Sequence, residues 1–152
     1  MTQCDESVAL NDVEYHLGGL GGSLGFLTRV VNIQINDYVR TKSDMLASPA
    51  TLTFLTLVRE NPGIRQNQAG RILLVHQPNI AALVKKLTEA GLLASPSKET
   101  KRSGLWITNK GVDLVAKSLS AVDLARECAE SLSDKEYRQL VGLLCRVYRS
   151  RL

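Results

Sequence analysis

Apolar residues recur at helical spacing through most of this chain, with the clearest pattern near its middle. Ile80, Leu83, Val84 and Leu87 share one face of a helix expected over residues 77 to 90. Pro78 falls in its first turn, where a missing N–H costs nothing, and Gly91 closes it in a left-handed conformation. A shorter helix precedes it over residues 65 to 73, so the two read as a helix-turn-helix. With the apolar stripe inward, Ala82, Lys85, Lys86 and Glu89 point outward, and Gln77 and Asn79 occupy the exposed N-terminal end. Amide and basic groups of this kind read base edges and phosphates. A solvated corner of an ordinary globular domain has the same pattern.

Around this centre the pattern predicts further elements. Leu24, Leu27, Val31 and Ile35 line one side of a helix over 23 to 42, and Phe26, Val30 and Ile33 widen its apolar arc. So wide an arc is buried on more than one side, by a partner subunit or within a monomeric bundle. Ser48-Pro49 starts another helix, rich in Leu52, Phe54, Leu55, Leu57 and Val58, which Asn61-Pro62-Gly63 stops. Residues 92 to 94 and 105 to 107 are short strand candidates joined by a basic loop with Lys98, Lys101 and Arg102. Beside a helix-turn-helix such a hairpin, or wing, can lay basic side chains into a minor groove; elsewhere it is a solvated turn. Thr108 caps a helix that the apolar stripe carries to about residue 132. Ser133-x-x-Glu136 is a capping box opening a last helix, with Tyr137, Leu140, Val141, Leu144 and Val147 on its apolar face. At the other end, Val8, Leu10, Val13 and Leu17 suggest a short helix, followed by a glycine-dense joint over 18 to 25. No strand precedes those glycines and no Gly-Lys-Ser/Thr follows, which excludes a phosphate-cradling loop.

Composition narrows the function. The 152 residues suffice for one domain, and the net charge of +4 suits a polyanionic partner without requiring one. Three separated cysteines, Cys4, Cys128 and Cys145, argue against a disulfide framework and for a reducing compartment, with the cytoplasm as the expected location. His16 and His76 are isolated and no CxxC pair occurs, so no metal or cofactor is expected. There is no nucleophile–base pair or carboxylate dyad, which leaves catalytic residues at none and an enzyme as the weakest reading. No apolar run has the length of a membrane span.

Four short segments together resemble the MarR family of bacterial transcription regulators, and the likeness spans residues 24 to 149. Ser48-Pro49-Ala50-Thr51-Leu52 is similar to the family's opening of its second helix, and Asn61-Pro62-Gly63-Ile64-Arg65-Gln66 precedes the third. Gln77-Pro78-Asn79-Ile80 through Leu87-Thr88-Glu89-Ala90-Gly91-Leu92 follows the recognition-helix pattern. Ile107-Thr108-Asn109-Lys110-Gly111 matches the motif that closes the wing. Two departures stand out. Glu99 and Lys101 occupy the wing's Asp-x-Arg positions, with Arg102 one residue on, and Ala69-Gly70 replaces Leu-Ala, Gly70 costing the helix about 1 kcal/mol.

The resemblance implies a mainly α fold: a winged helix-turn-helix lobe over 48–108, flanked by dimerisation helices over approximately 1–45 and 109–152, in one domain spanning 1–152. It implies a homodimer on a pseudo-palindromic double-stranded DNA operator, acting as a repressor. Gln77 and Asn79 are the expected base readers, with Ala82 on the same face. Lys85 and Lys86 are expected on phosphate or guanine, Arg65 and Gln66 on the backbone, and Lys101 and Arg102 in the wing. It further implies a small anionic aromatic effector, a phenolic acid or its coenzyme A thioester, with Phe26, Arg29, Asn36, Arg40 and Phe54 as candidate lining residues. Two alternatives remain open on sequence: redox control through a cysteine such as Cys4, and a winged-helix module that binds protein.

Overall fold

The computed structural model describes residues 7–10, 12–42, 47–94, 104–118, 124 and 126–150. Strands β1 (Ser7–Leu10) and β2 (Val13–His16) pair antiparallel, with Val8 opposite Tyr15 and Leu10 opposite Val13. This corrects the helix expected there. Val8 and Leu10, then Val13 and Tyr15, alternate at period two, which a short stretch cannot distinguish from a helical stripe. Asp12, at φ 63°, makes the left-handed turn that joins the strands. A 3-10 turn at Gly18–Leu20 leads to α1 (Leu24–Lys42), where Ser23 Oγ accepts from Phe26 N at 3.3 Å.

Helix α2 (Pro49–Glu60) starts as expected: Ser48 Oγ accepts from Thr51 N, and proline takes the first turn. α3 (Gln66–Leu73), α4 (Gln77–Glu89) and α5 (Asn109–Lys117) follow. The helix expected to run on to about residue 132 is continuous only to Lys117 among the described residues. Leu124, Arg126 and Glu127 are again helical, and the chain turns from Cys128. Arg126 fixes this turn by donating to Ala129 O, Leu132 O and Asp134 Oδ1, its guanidinium 4.7 Å from the Tyr137 ring centre. The last helix, α6 (Asp134–Arg149), opens on the expected capping box: Ser133 N donates to Glu136 Oε2 at 2.9 Å and Ser133 Oγ accepts from Glu136 N at 3.4 Å.

The hydrophobic core belongs to the middle of the chain. Phe54, Leu55 and Val58 of α2 pack with Ile64, Ala69, Ile80, Leu87, Leu92, Leu93 and Val115. The strand-like segment 104–107 lies between two others: Leu105 bridges Ile64, and Ile107 bridges Leu93. Sequence patterning anticipated the second pairing and missed the first, because a single-residue strand at Ile64 leaves no periodicity to detect. α1 and α6 stand apart from this core. α6 buries no residue, although Leu140, Val141, Leu143, Leu144, Val147 and Tyr148 form an apolar face along it. On α1 only Val39 is buried, while Leu24, Val31 and Ile33 are exposed.

Candidate nucleic-acid interface

The geometry of the α3–α4 pair follows from its small residues. Leu74 takes a left-handed conformation, φ 52°, and ends α3, with Val75 N donating back to Gly70 O at 2.9 Å. Gly70 is buried, and a Cβ there would lie 2.9 Å from Gln77 Nε2, 3.2 Å from Val75 O and 3.4 Å from Ile80 Cγ1. The residue that weakens α3 by propensity is therefore what lets α4 approach it closely. Ile80 and Leu87 are then fully enclosed, and Leu83 and Val84 pack against the core's edge.

Burying that stripe turns the opposite face of α4 outward. Asn79, Ala82, Lys85, Lys86 and Glu89 are all exposed, as the sequence pattern requires. Lys85 lies 3.9 Å from Glu89, both largely in solvent, so water screens the attraction and leaves the lysine available to a stronger anion. Gln77 is also exposed, but its amide folds back over Gly70 and Nε2 donates to Asn67 O at 3.5 Å. Arg65 is exposed at the N-terminus of α3, where its backbone N–H donates to Gln68 Oε1 at 2.9 Å, and Gln66 beside it is half-buried. An open cleft of about 720 Å³ runs along the turn, lined by Asn67, Gly70, Arg71, Leu74, Val75, His76 and Gln77.

The base of the hairpin after α4 is built by three contacts that explain its sequence motif. Gly91 has φ 71°, a conformation that only glycine adopts cheaply. Thr108 Oγ1 donates to Gly91 O at 2.7 Å and accepts from Gly111 N at 3.1 Å, so one hydroxyl closes α4 and caps α5. A Cβ at Gly111 would lie 2.5 Å from Leu92 O, so glycine there permits the crossing of α5 over the strand. Lys110 Nζ adds a bond to Ala90 O at 2.9 Å, on the last carbonyls of α4. The loop itself, with Lys101 and Arg102, lies outside the described residues.

The candidate effector residues are spread over two elements. Phe26, Arg29, Asn36 and Arg40 share one side of α1 with Ile33. Phe26 and Asn36 are half-buried, Arg29 and Arg40 exposed. Arg40 pairs with Asp37 at 3.1 Å and Asn36 Nδ2 donates to Asn32 Oδ1 at 2.9 Å. Phe54 is wholly enclosed in the lobe's core and offers no surface in this conformation. Of the cysteines, Cys128 is half-buried and Cys145 exposed on α6; Cys4 lies outside the described residues. No group of three potential metal ligands occurs among the described residues, and no described helix is long and apolar enough to cross a membrane.

Two linking contacts were not anticipated from sequence. Tyr148 OH near the end of α6 donates to Ile72 O of α3 at 2.7 Å, and Tyr38 OH of α1 donates to Glu127 at 3.4 Å. Partial desolvation, and after it the nearby Glu127 carboxylate, raise the Tyr38 phenol above its ordinary range. The stripe Leu140–Leu144–Tyr148 continues the apolar spacing of α6 by one more turn, which is the signal that could have placed Tyr148.

Known proteins share this arrangement. The MarR family model matches residues 48–103. A transcriptional regulatory protein for the hcr operon of Thauera aromatica is 31% identical over 137 residues, covering 87% of this chain and 82% of that protein. The repressor CouR bound to a 23-mer DNA duplex superposes with a TM-score of 0.75 at 24% identity, over 89% of this chain and 99% of that one. CouR bound to p-coumaroyl-CoA gives 0.72 at 22%, over 87% and 96%. The PcaV regulator of Streptomyces coelicolor, in complex with its natural ligand, gives 0.72 at 19%, over 95% and 99%.

Proposed function

Because this chain belongs to the MarR family of transcriptional regulators, we propose that it binds a pseudo-palindromic operator as a homodimer and is released by a small aromatic effector. The observation that carries the DNA-binding part is the exposed face of α4, with an amide at its N-terminal end and Lys85 and Lys86 behind it, held on a rigid core. Base reading falls to the α4 N-terminus, with Ala82 on the same face, phosphate or guanine contacts to Lys85 and Lys86, backbone contacts to Arg65 and Gln66, and wing contacts to Lys101 and Arg102. The lobe is residues 48–108. The flanking segments, approximately 1–45 and 109–152, form the dimer.

Dimerisation answers a physical problem in the single chain. An α6 with six large apolar or aromatic residues exposed, and an α1 with three, leaves much apolar surface in water. A second copy covers it at no cost in new sequence, and a twofold axis sets two α4 helices about one DNA turn apart.

For the effector, a carboxylate or a coenzyme A phosphate suits Arg29 and Arg40, and Phe26 and Ile33 offer apolar surface on the same side of α1. CouR binding p-coumaroyl-CoA supports this class of compound. The effector acts by favouring a lobe spacing that does not fit the operator; its differential affinity for the two spacings sets the response. The hydrogen bond from Tyr148 to Ile72 O gives α6 a direct hold on α3 through which such a shift passes.

The test begins with selection of binding duplexes from a random-sequence library. Fluorescence anisotropy of the selected duplex then follows titration with p-coumaroyl-CoA and with free aromatic acids. Sequence-selective binding in physiological salt, reversed by at least one of these compounds, is expected. Binding that lacks sequence preference and vanishes in moderate salt would overturn the reading.

A further inference from the structure

Resting on the DNA-binding reading above, we infer that the two amides at the start of α4 divide the work: Asn79 reads one adenine in each half-site, and Gln77 is a positioning residue. Both are exposed and one helical turn holds both, so sequence alone treats them alike. Their surroundings differ. The Gln77 amide lies in the space that the missing Cβ of Gly70 leaves, and Nε2 donates to Asn67 O. It lies against α3, and at 3.5 Å from Asn67 O one of its hydrogens is directed there, a long bond beside the open Asn79 amide. Asn79 has no side-chain partner among the described residues; its backbone N–H donates to His76 O, which fixes its place in the first turn.

The positions that follow Asn79 leave it unopposed: Ala81 and Ala82 carry no side-chain polar atom, and Lys85, further along the helix, lies near Glu89. The exposed His76 imidazole, one turn before, makes no side-chain hydrogen bond to Asn79 among the described residues. A free asparagine amide matches adenine in the major groove: Oδ1 accepts from N6–H and Nδ2 donates to N7, a bidentate pair that no other base pair reproduces. A short side chain followed by the small Ala81 and Ala82 lets the helix sit deep enough to make it. Gln77, held against α3, sets the angle at which α4 enters and contributes equally to every sequence.

The experiment measures affinity of the full chain for the selected operator and for every single base-pair substitution across one half-site. Asn79→Ala is expected to abolish the preference for A·T at one position, a loss of roughly 5- to 100-fold in discrimination, while preferences elsewhere persist. Gln77→Ala is expected to weaken the whole panel by a common factor and leave the ranking of bases unchanged. A flattened position in Gln77→Ala, or an intact preference profile in Asn79→Ala, would overturn the division of roles. Failure to select any operator would instead overturn the DNA-binding reading beneath it.

Discussion

Thr108 lets one hydroxyl be weighed against the fold. Its Oγ1 accepts from Gly111 N at 3.1 Å and donates to Gly91 O at 2.7 Å, joining the end of α4 to the start of α5. Thr108→Val keeps the shape and removes both bonds. Loss of an N-cap costs about 1 kcal/mol, and loss of the second bond about 1 kcal/mol more, for roughly 2 kcal/mol in total. For a chain of this length each kcal/mol moves Tm by about 2–4 °C, so the expected fall is roughly 4–8 °C. Thr108→Ser retains the hydroxyl and should recover most of it. Thermal denaturation followed by circular dichroism, at one fixed protein concentration because a dimer's Tm depends on it, measures all three proteins. A valine variant as stable as the parent, or a serine variant as unstable as valine, would refute this account of the motif.

Further outcomes follow from other parts of the structure. Placing aspartate at Leu143 and Val147 on the exposed face of α6 should yield a monomer in sedimentation equilibrium while the lobe's core still melts cooperatively; an unchanged dimer would show that this face is not the interface. Replacing Lys101 and Arg102 with alanine should flatten the plot of log affinity against log salt, by roughly 0.9 for each phosphate that is no longer neutralised, and an unaltered slope would remove the wing from the complex. Hydrogen bonding and charge from Arg126 hold the Asp134 carboxyl below its usual range, and the Ser133 hydroxyl and backbone N–H do the same for Glu136. Both folded-state values are depressed, so their contribution is present above the ordinary carboxylate range and disappears as pH falls through the lower folded values. The helicity of α6 should therefore weaken on acidification, and Asp134→Asn should lose part of that acid response; identical pH profiles for parent and variant would contradict it.

The helices after residue 47 are legible directly from periodicity and caps. Ser48, Ser133 and Thr108 start their helices where the sequence places them, because a cap is a local device. The inward stripe of α4 and its outward lysines are equally legible, since one burial decision orients the whole helix. The N-terminal hairpin is not, because four alternating residues fit two periods. In sequence, Gly70 registers only as a local cost; its use lies in the approach of another helix, which no local pattern encodes. Gln77 and Asn79 look equivalent in sequence for the same reason, and only the placement of Asn67 separates them.

Hydroxyl-radical footprinting of the selected operator, with protein bound at physiological salt, distinguishes a twofold complex from any other mode of binding. Two equally protected half-sites related by a dyad are expected, their centres about 10–10.5 base pairs apart or a multiple of that. A single unpaired footprint, or protection spread evenly along the duplex, would contradict it.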